Sequence, residues 1–537
     1  MIGADAVVKC LEKENVKYVF GYPGVAICPF YNSILNSDIE TVLIRTEQNA
    51  AHAASGYARV NNEVGVCAVT SGPGATNVIT GIATAFADSI PLVVITGQVD
   101  SKLLGSDVFQ EADITGAVES FVKYSYLVRN AEDIPRIIKE AFYIASTGRK
   151  GPVLIDIPID VQNSVVKKFE YPENVSMRTY KPVSKGNIVQ IKKVADKLAG
   201  AKKPVILAGG GVILADAVDN LRAFARKHSI PVVNTMMGIG VMPSDDSLYF
   251  GMVGNNGKAY ANTAMKEADL IVIVGARIAD RAISQPDLIT ENTTLIHIDV
   301  DTAEIGKNAH ASIPLVGNAK YIFEDLMNID FKADYSEWLN HLAENKVKLE
   351  KTRRVNKDYV DPAEFISKLS GKMEDDSVYV ADVGQNQIWS CGYYNVKKGR
   401  FLTSGGMGTM GYSIPAAMGA KIAQPDKQVV AVCGDGSFQM SMMELATMKQ
   451  HNVPVKIVVL KNNYLGMVRQ YQHFTYNDNY SVVDLGNYPY FEDLSKAYDI
   501  KYLKLENMDN CDSVIDEFLK NDESAILECL IDPMDLV

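Results

Sequence analysis

The sequence predicts an α/β protein built from three doubly wound parallel-sheet domains, and two features predict it. Short β-branched runs alternate with longer helical patterns along the whole chain, the signature of parallel strands joined by crossover helices. These runs are almost continuously apolar, which fits strands covered on both faces. The composition allows it: 537 residues suggest three or four domains at roughly 100–200 residues each. With 47% hydrophobic and 22% charged residues, the chain can bury large cores.

The first third carries KYVF (17–20), TVLI (41–44), VGVCAVT (64–70), PLVVIT (91–96) and PVLIDIP (152–158), which define an N-terminal domain over 1–165. The polar, proline-bearing VKKFEYPENVSMRTYKPVSKGN that follows reads as a linker. A central Rossmann-like domain over 186–345 has PVILAGGG (204–211), PVVNT (231–235), LIVIVGA (270–276) and TLIHIDVD (294–301). A charged stretch from about Phe331 to Asp361, including KVKLEKTRRVNKD, reads as a solvated helix plus a connection. The C-terminal domain, 360–537, has VYVADVG (378–384), RFLTSG (400–405), QVVAVCGDG (428–436), VKIVVLKNN (455–463) and AILECLID (525–532). No short repeat or low-complexity segment interrupts this order.

The balance of 53 Lys plus Arg against 65 Asp plus Glu gives a charge of −12 with no basic run, which argues against nucleic acid or an anionic membrane as partner. No apolar stretch approaches the ~18 residues a membrane span needs. The N-terminal MIGADAVVKCLEKEN reads as an amphipathic helix, so a cytoplasmic location is expected. Seven cysteines (10, 28, 67, 391, 433, 511, 529) lie scattered without a CxxC, which disfavours disulfides and zinc and leaves buried thiols. Small-molecule substrates remain.

The sharpest local signal is Gly434-Asp435-Gly436 followed after 25 residues by Asn462-Asn463. Each end sits where a hydrophobic strand runs out, at the edge of a parallel sheet where ligands bind. The glycines let backbone approach a diphosphate, while Asp435, Asn462 and a nearby carbonyl offer hard oxygen ligands for Mg²⁺. Two ordinary strand-end turns would use the same residues. Likewise Gly209-Gly210-Gly211 after a strand can cradle a phosphate or pack a helix closely.

The segment GDGSFQMSMMELATMKQHNVPVKIVVLKNNYLGMVRQ resembles the thiamine-diphosphate motif, and its wording is closest to the acetohydroxyacid synthase (acetolactate synthase) catalytic subunit. The resemblance continues through GYPG (21–24), EQNAAHAASGYAR (47–59), TSGPGATNVITGIATAFADSIPLVVITGQV (70–99), FQEAD (109–113), GAR-x-x-DR (275–281), HIDVD (297–301) and GGMGTMGYSIPAAMGA (405–420). It implies a carboligase that joins the two-carbon unit of pyruvate to a second 2-oxo acid, with a decarboxylase or a ligase of other carbonyl compounds as the alternative. A non-catalytic subunit is disfavoured because Glu47, Asp435 and Asn462 are all kept, and a simple nucleotide-binding array because no GxxxxGK[ST] occurs.

By resemblance, Glu47 is the acid–base partner of the cofactor's aminopyrimidine; from the sequence alone it is a carboxylate at a helix start, where the dipole favours it. Met410 props the cofactor into a bent shape, although a lone methionine there more often packs a core. Gln385, Gly408, Gly434, Gly436, Ser437, Met467, Pro73 and Asn77 are implied cofactor contacts, and Tyr464 joins Asp435 and Asn462 around the metal. Gly24, Phe109 and Gln110 lie by implication beside the reaction centre and the route to the second substrate, with Val25, Lys123, Arg281 and Tyr471 on the substrate side. Gly209, Gly210, Gly211, Arg277 and Asp299 are implied to hold a FAD that does no net redox work. The resemblance further implies a homo-oligomer, at least a dimer, with sites between subunits, and allows for a small regulatory subunit.

Departures from the family pattern fall around the substrate. The second glycine of GYPGG is Val25, HEQG reads Thr46-Glu47-Gln48-Asn49, and a histidine beside Gln385 is Asn386. LGMHG reads VGNNG (253–257), FDD reads Ile278-Ala279-Asp280, and a tryptophan after MVRQ is Tyr471. The sequence ends at IDPMDLV, where relatives continue into a proline-rich tail over the active site. Cofactor chemistry is expected to be intact, with a narrower donor pocket and a more polar acceptor.

Overall fold

The computed structural model describes residues 1–283, 293–350 and 355–537. It contains three six-stranded parallel sheets. The first consists of β1 (Tyr18–Tyr22), β2 (Glu40–Leu43), β3 (Gly65–Val69), β4 (Leu92–Gln98), β5 (Tyr124–Leu127) and β6 (Pro152–Pro158), in the order β2-β1-β3-β4-β6-β5. The second has β7 (Pro204–Ala208), β8 (Val232–Asn234), β9 (Tyr249–Met252), β10 (Leu270–Val274), β11 (Thr294–Asp299) and β12 (Ile313–Val316), in the order β12-β11-β10-β7-β8-β9. The third has β13 (Val378–Ala381), β14 (Arg400–Leu402), β15 (Val429–Gly434), β16 (Lys456–Lys461), β17 (Lys501–Leu505) and β18 (Ala525–Leu530), in the order β14-β13-β15-β16-β18-β17.

The first and third sheets thus share one topology, and the middle sheet has the Rossmann order. In each, the strand order reverses once near the centre: between β1 and β3, β7 and β10, and β13 and β15. Those crevices are where α/β sheets bind ligands.

Every apolar run read from the sequence forms a strand, and strands such as β3, β4, β6, β7 and β10 are buried along their whole length. Four further strands, β5, β9, β12 and β17, were not legible, and all four are sheet edges. An edge strand has a neighbour on one side only, so its sequence need not be continuously apolar: β5 (YSYL) and β17 (KYLKL) are mostly half-exposed. In the charged stretch after Phe331, helix Ser336–Lys348 forms as expected; residues 351–354 lie outside the described residues.

The first and third sheets share one core. Phe20, Cys67 and Val94 lie in the same apolar cluster as Val380, Ala431 and Ile457. Between the sheets, helix Glu47–Asn61 crosses helix Ser413–Ala423 at backbone contact. A Cβ on Gly56 would lie 1.9 Å from the Ala416 carbonyl oxygen, and one on Gly419 would lie 1.8 Å from that of Ala53. Only glycine permits this approach.

Gly419→Val is therefore expected to lower stability by about 1–3 kcal/mol or more through overpacking. Gly371→Ala, where a Cβ meets nothing within 4 Å on helix Pro362–Lys372, should instead stabilise, by about 0.5–1 kcal/mol. Urea midpoints of the two variants, moving in opposite directions, check the contact.

Candidate active site

Most of the sequence-predicted residues assemble at the three crevices. At the β13/β15 crevice, Gln385, Met410, Asn386 and Trp389 face Gly434, Asp435, Gly436 and Ser437, with Asn462, Tyr464 and Met467 closing the pocket from β16 and the following helix. The Asp435 carboxylate is buried and accepts the Asn463 N–H at 2.8 Å. Burial pushes its carboxyl up to about 6, opposed by that N–H and by Lys461. Asn462 Oδ1 accepts the Tyr464 N–H at 3.0 Å, and its amide nitrogen lies 3.3 Å from Gln385 Oε1. Space at Gly436 is tight: a Cβ would sit 3.0 Å from Leu465 Cδ2, which would have to give slightly, and 3.7 Å from Met410 Cε, an ordinary contact.

Two buried polar atoms of this region, Trp389 Nε1 and Asn463 Oδ1, have no protein partner. Such groups cost free energy unless something else satisfies them. Together with the open backbone at Gly434 and Gly436 and the hard oxygen set of Asp435, Asn462 and the Tyr464 carbonyl, they fit a diphosphate with a divalent cation.

Met410 is held from beneath. Fully buried Asp382 accepts the Gly411 N–H at 2.9 Å and the Ser413 N–H at 2.7 Å, fixing the turn on which Met410 stands. Burial raises the carboxyl of Asp382, and the N–H groups lower it. The preceding loop is anchored from the first sheet: Asp88 accepts the Gly405 and Gly406 N–H groups at 3.1 and 2.7 Å, and Arg59 donates to the Thr403 carbonyl at 2.7 Å. Neither carboxylate was identified from the sequence.

The β1/β3 crevice gathers a second set. Glu47, the first residue of its helix, accepts a hydrogen bond from Asn77 Nδ2 at 3.0 Å. A Cβ on Gly24 would be 2.6 Å from Thr70 Cβ, and one on Gly74 would be 3.3 Å from Glu47 Oε1, so the turn Thr70–Gly74, which includes Pro73, packs directly on this carboxylate. Gly72 (φ 56°) and Gln110 (φ 61°) are both left-handed and touch, which brings the Phe109–Gln110 loop over the turn. That loop is tied down by Gln98, whose amide donates to Ala112 O (2.8 Å) and to buried Asp156 (2.9 Å); Asp156 also accepts from Thr96 Oγ1 at 2.7 Å. Val25 and Phe109 project outward, 75% and 87% exposed.

Glu47 does not line the pocket around Asp435. One chain builds both sets of residues and does not bring them together.

The third set surrounds a cavity of about 1030 Å³ at the β7/β10 crevice, open toward the third sheet. Gly210, Gly211, Arg277, Asp299 and Arg281 line it, facing Gly408, Met467 and Tyr471. Of the two uses open to the triple glycine, a phosphate cradle or close packing, the geometry shows packing at two of its three positions. The N–H groups of Gly209 and Gly211 already donate to Val274 O and Gly275 O, and a Cβ on either would strike Gly275 within 2.6 Å. These two glycines serve close backbone packing, and Gly209 does not line the cavity. Burial raises Asp299 to about 6.

Lys123 belongs to none of the three sets. Its ammonium caps helix Ile134–Ser146, donating to the carbonyls of Ile144 and Thr147 (2.8 Å to the latter) and to Tyr180 OH at 2.8 Å. Burial lowers it to about 7. Two residues of the cavity lining are largely exposed: Tyr471 on the surface of its helix, and Arg281, which pairs loosely with Asp280 at 3.8 Å.

The whole chain matches known proteins in the order of its sheets. Residues 1–117 match the thiamine pyrophosphate enzyme N-terminal TPP binding domain, 191–326 the central domain and 382–529 the C-terminal TPP binding domain. A probable acetolactate synthase large subunit of Methanocaldococcus jannaschii is 42% identical over 99% of this chain and 92% of its own length. The chain belongs to the thiamine pyrophosphate enzyme family. An acetolactate synthase large subunit of Lactococcus lactis is 42% identical (98% of this chain, 92% of the relative) and one of Haemophilus influenzae 43% (96% and 91%). Within this thiamine pyrophosphate enzyme, the Asp435 pocket lies in the C-terminal TPP binding domain and Glu47 in the N-terminal one.

Asp156 gives a pH signature for the loop over Glu47. Burial raises its carboxyl to about 7, above the ordinary unfolded value near 3.9. A raised carboxyl stabilises the fold when protonated, and this contribution fades as pH rises from about 4 to about 7. Asp156→Asn should therefore gain on the unmodified protein across that window, read as urea midpoints at pH 5 and pH 8.

Proposed function

We propose that this thiamine pyrophosphate enzyme is an acetolactate synthase-like carboligase, joining the two-carbon unit of pyruvate to a second 2-oxo acid in the cytoplasm. The observation that carries the reading is the convergence of Asp435 and Asn462 beside Gln385 and Met410 at the β13/β15 crevice, in a chain whose relatives are named acetolactate synthases. Domains over 1–165, 186–345 and 360–537 are part of it, one per sheet.

Asp435, Asn462 and the Tyr464 carbonyl would hold Mg²⁺ against the cofactor's diphosphate, with Gly434, Gly436, Ser437 and Gln385 around it. When bound, thiamine diphosphate supplies a thiazolium carbon able to take up the electron pair released by decarboxylation. Met410 would support the cofactor from below, and Glu47 would hold or release the proton required at the aminopyrimidine. Asn77 orients the Glu47 carboxylate. With a second copy seated on them, Gly24, Phe109 and Gln110 would shape the space over the reacting carbon, and Val25 would narrow it toward pyruvate. The Tyr471 hydroxyl suits an acceptor with a polar group.

Arg277, Arg281, Arg149 and Arg400 around the central cavity, with Asp299 at the end of β11, support a bound dinucleotide, which we take to be FAD. A second copy of the chain is the proposed completion of the active site. Glu47 and Asp435 occupy separate crevices, and each is bordered by exposed apolar side chains: Val25 and Phe109 on one side, Val482 (94% exposed) and Tyr488 on the other. The relatives are called large subunits, which supports a small regulatory partner. Among the described residues no helix is long and apolar enough to cross a membrane.

Incubation with pyruvate, thiamine diphosphate and Mg²⁺ should yield acetolactate with measurable acetaldehyde beside it, identified by carbon skeleton. Glu47→Gln should reduce turnover by about 10²–10⁴-fold, while cofactor binding, read from the fluorescence of Trp389 in the pocket wall, persists. Removal of the metal should abolish activity. Full activity of Glu47→Gln or of metal-stripped protein would sink the assignment.

Complementation tests the second copy. Glu47→Gln and Asp435→Ala chains, each inactive alone, should regain activity on mixing under conditions of subunit exchange. A fully active monomer in sedimentation would contradict the shared site.

A further inference from the structure

We infer that Glu444 and His451 are positioning residues for Glu47, an inference that rests on the acid–base role proposed above for that glutamate. The strand β2 is an edge of the first sheet, and its last inward bond is Ile44 N–H to Gly21 O. The outward N–H groups of Leu43 and Arg45 therefore have no neighbouring strand to bond. Side chains of the C-terminal domain take them instead. Leu43 N–H donates to His451 Nε2 at 3.2 Å, and Arg45 N–H donates to the two Glu444 oxygens at 3.1 and 3.2 Å.

Glu444 is fully buried, and the same carboxylate accepts Asn49 Nδ2 at 2.9 Å. Thr447 Oγ1 lies 2.7 Å from Glu444 Oε2 and 3.2 Å from Leu43 O; its single proton goes to the nearer, charged acceptor. Arg45 adds a bond from its guanidinium to Gln450 Oε1 at 2.6 Å. All these ties come from helix Glu444–Gln450 and the residue that follows it. They hold residues 43, 45 and 49, on both sides of Glu47, and leave the Glu47 carboxylate to Asn77.

Every group facing Glu444 is a donor, so the site requires an acceptor on both oxygens. An amide supplies one and a methyl none. Without the clamp, the helix start of Thr46 and Glu47 is free to shift against a neighbouring edge that offers no backbone partner, and a proton-transfer group displaced by about 1 Å loses up to about 100-fold in rate.

The test uses the full chain with Glu444→Ala, Glu444→Gln and Asn49→Ala. In the cofactor-free protein, amide hydrogen exchange across residues 43–49 should accelerate in Glu444→Ala. With thiamine diphosphate and Mg²⁺ bound, exchange of the thiazolium C2 proton and kcat should fall together by about 10- to 100-fold, with KM for pyruvate and cofactor affinity moving less than about threefold. Glu444→Gln should fall between Ala and the unmodified protein, and it carries the test if Glu444→Ala does not fold. Unchanged C2 exchange in folded Glu444→Ala, or a Glu444→Gln no better than Ala with cofactor affinity lost in parallel, overturns the inference. If Glu47→Gln itself leaves C2 exchange intact, the role of Glu47 fails, and that result needs no Glu444 variant.

Discussion

The backbone contact of helix Glu47–Asn61 with helix Ser413–Ala423 is the constraint on which the other arrangements depend. With Gly56 against Ala416 and Gly419 against Ala53, the two helices have no side chain between them at the crossing. Their separation is set by backbone, so the first and third sheets enclose one core of fixed thickness rather than two cores in loose contact. The contact also places the polar ends of each domain within reach of the other. Asp88 and Arg59 of the first domain hold the loop before Met410, and Glu444 of the third holds the residues before Glu47. Each domain thus fixes the other's functional loop, through groups that a wider helix spacing would pull beyond hydrogen-bond range.

The parallel sheet explains where the functional residues lie. A crossover connection leaves each strand at its C-terminal end, and where consecutive connections go to opposite faces a crevice opens. The three crevices contain, in turn, Gly24 with the Thr70–Gly74 turn, Gly211 with Arg277, and Gln385 with Asp435. Glycine recurs at these points for two different reasons. At Gly436 it leaves room beside Leu465 and Met410; at Gly209 and Gly211 it lets two strand ends touch. Sequence alone does not separate those uses, because both favour the absence of a Cβ.

What could be read from the sequence follows from the same physics. Strands buried on both faces are apolar throughout and were legible; β5, β9, β12 and β17, with one open edge, were not. Asp435 and Asn462 follow directly where β15 and β16 run out, and Glu47 opens a helix, which are the places in the fold expected of them. Their supports were not legible. Asp382, Asp88 and Glu444 are carboxylates buried by N–H groups, and apart from Thr447 the partners of Glu444 lie about 400 positions away, 399 for Arg45 and 395 for Asn49. A glutamate opening a helix ordinarily reads as dipole stabilisation, and nothing local marks Glu444 as buried. Lys123 illustrates the converse: its surroundings match a motif, and within this chain the carbonyls at the end of helix Ile134–Ser146 engage it.

Helix Gly466–Tyr476 shows how incompletely one chain satisfies itself around the pockets. It has eleven residues and none of them is buried. A helix that short has little stability of its own in water, so what holds it must come from its ends and flanks. At its start Leu465 N–H bonds Val483 O, and on one flank Arg469 and Gln470 grip the segment ending at Val537, with Gln470 donating to Val537 O and accepting its N–H, both at 2.9 Å. Gln385 joins this network by donating to Gln470 Oε1 and Asp535 O. The other flank carries Met467, which lines both the Asp435 pocket and the central cavity, and Tyr471 and Phe474, which stand at the cavity rim. The polar flank of the helix is therefore fixed within the chain, while its apolar flank faces the two spaces where ligands fit.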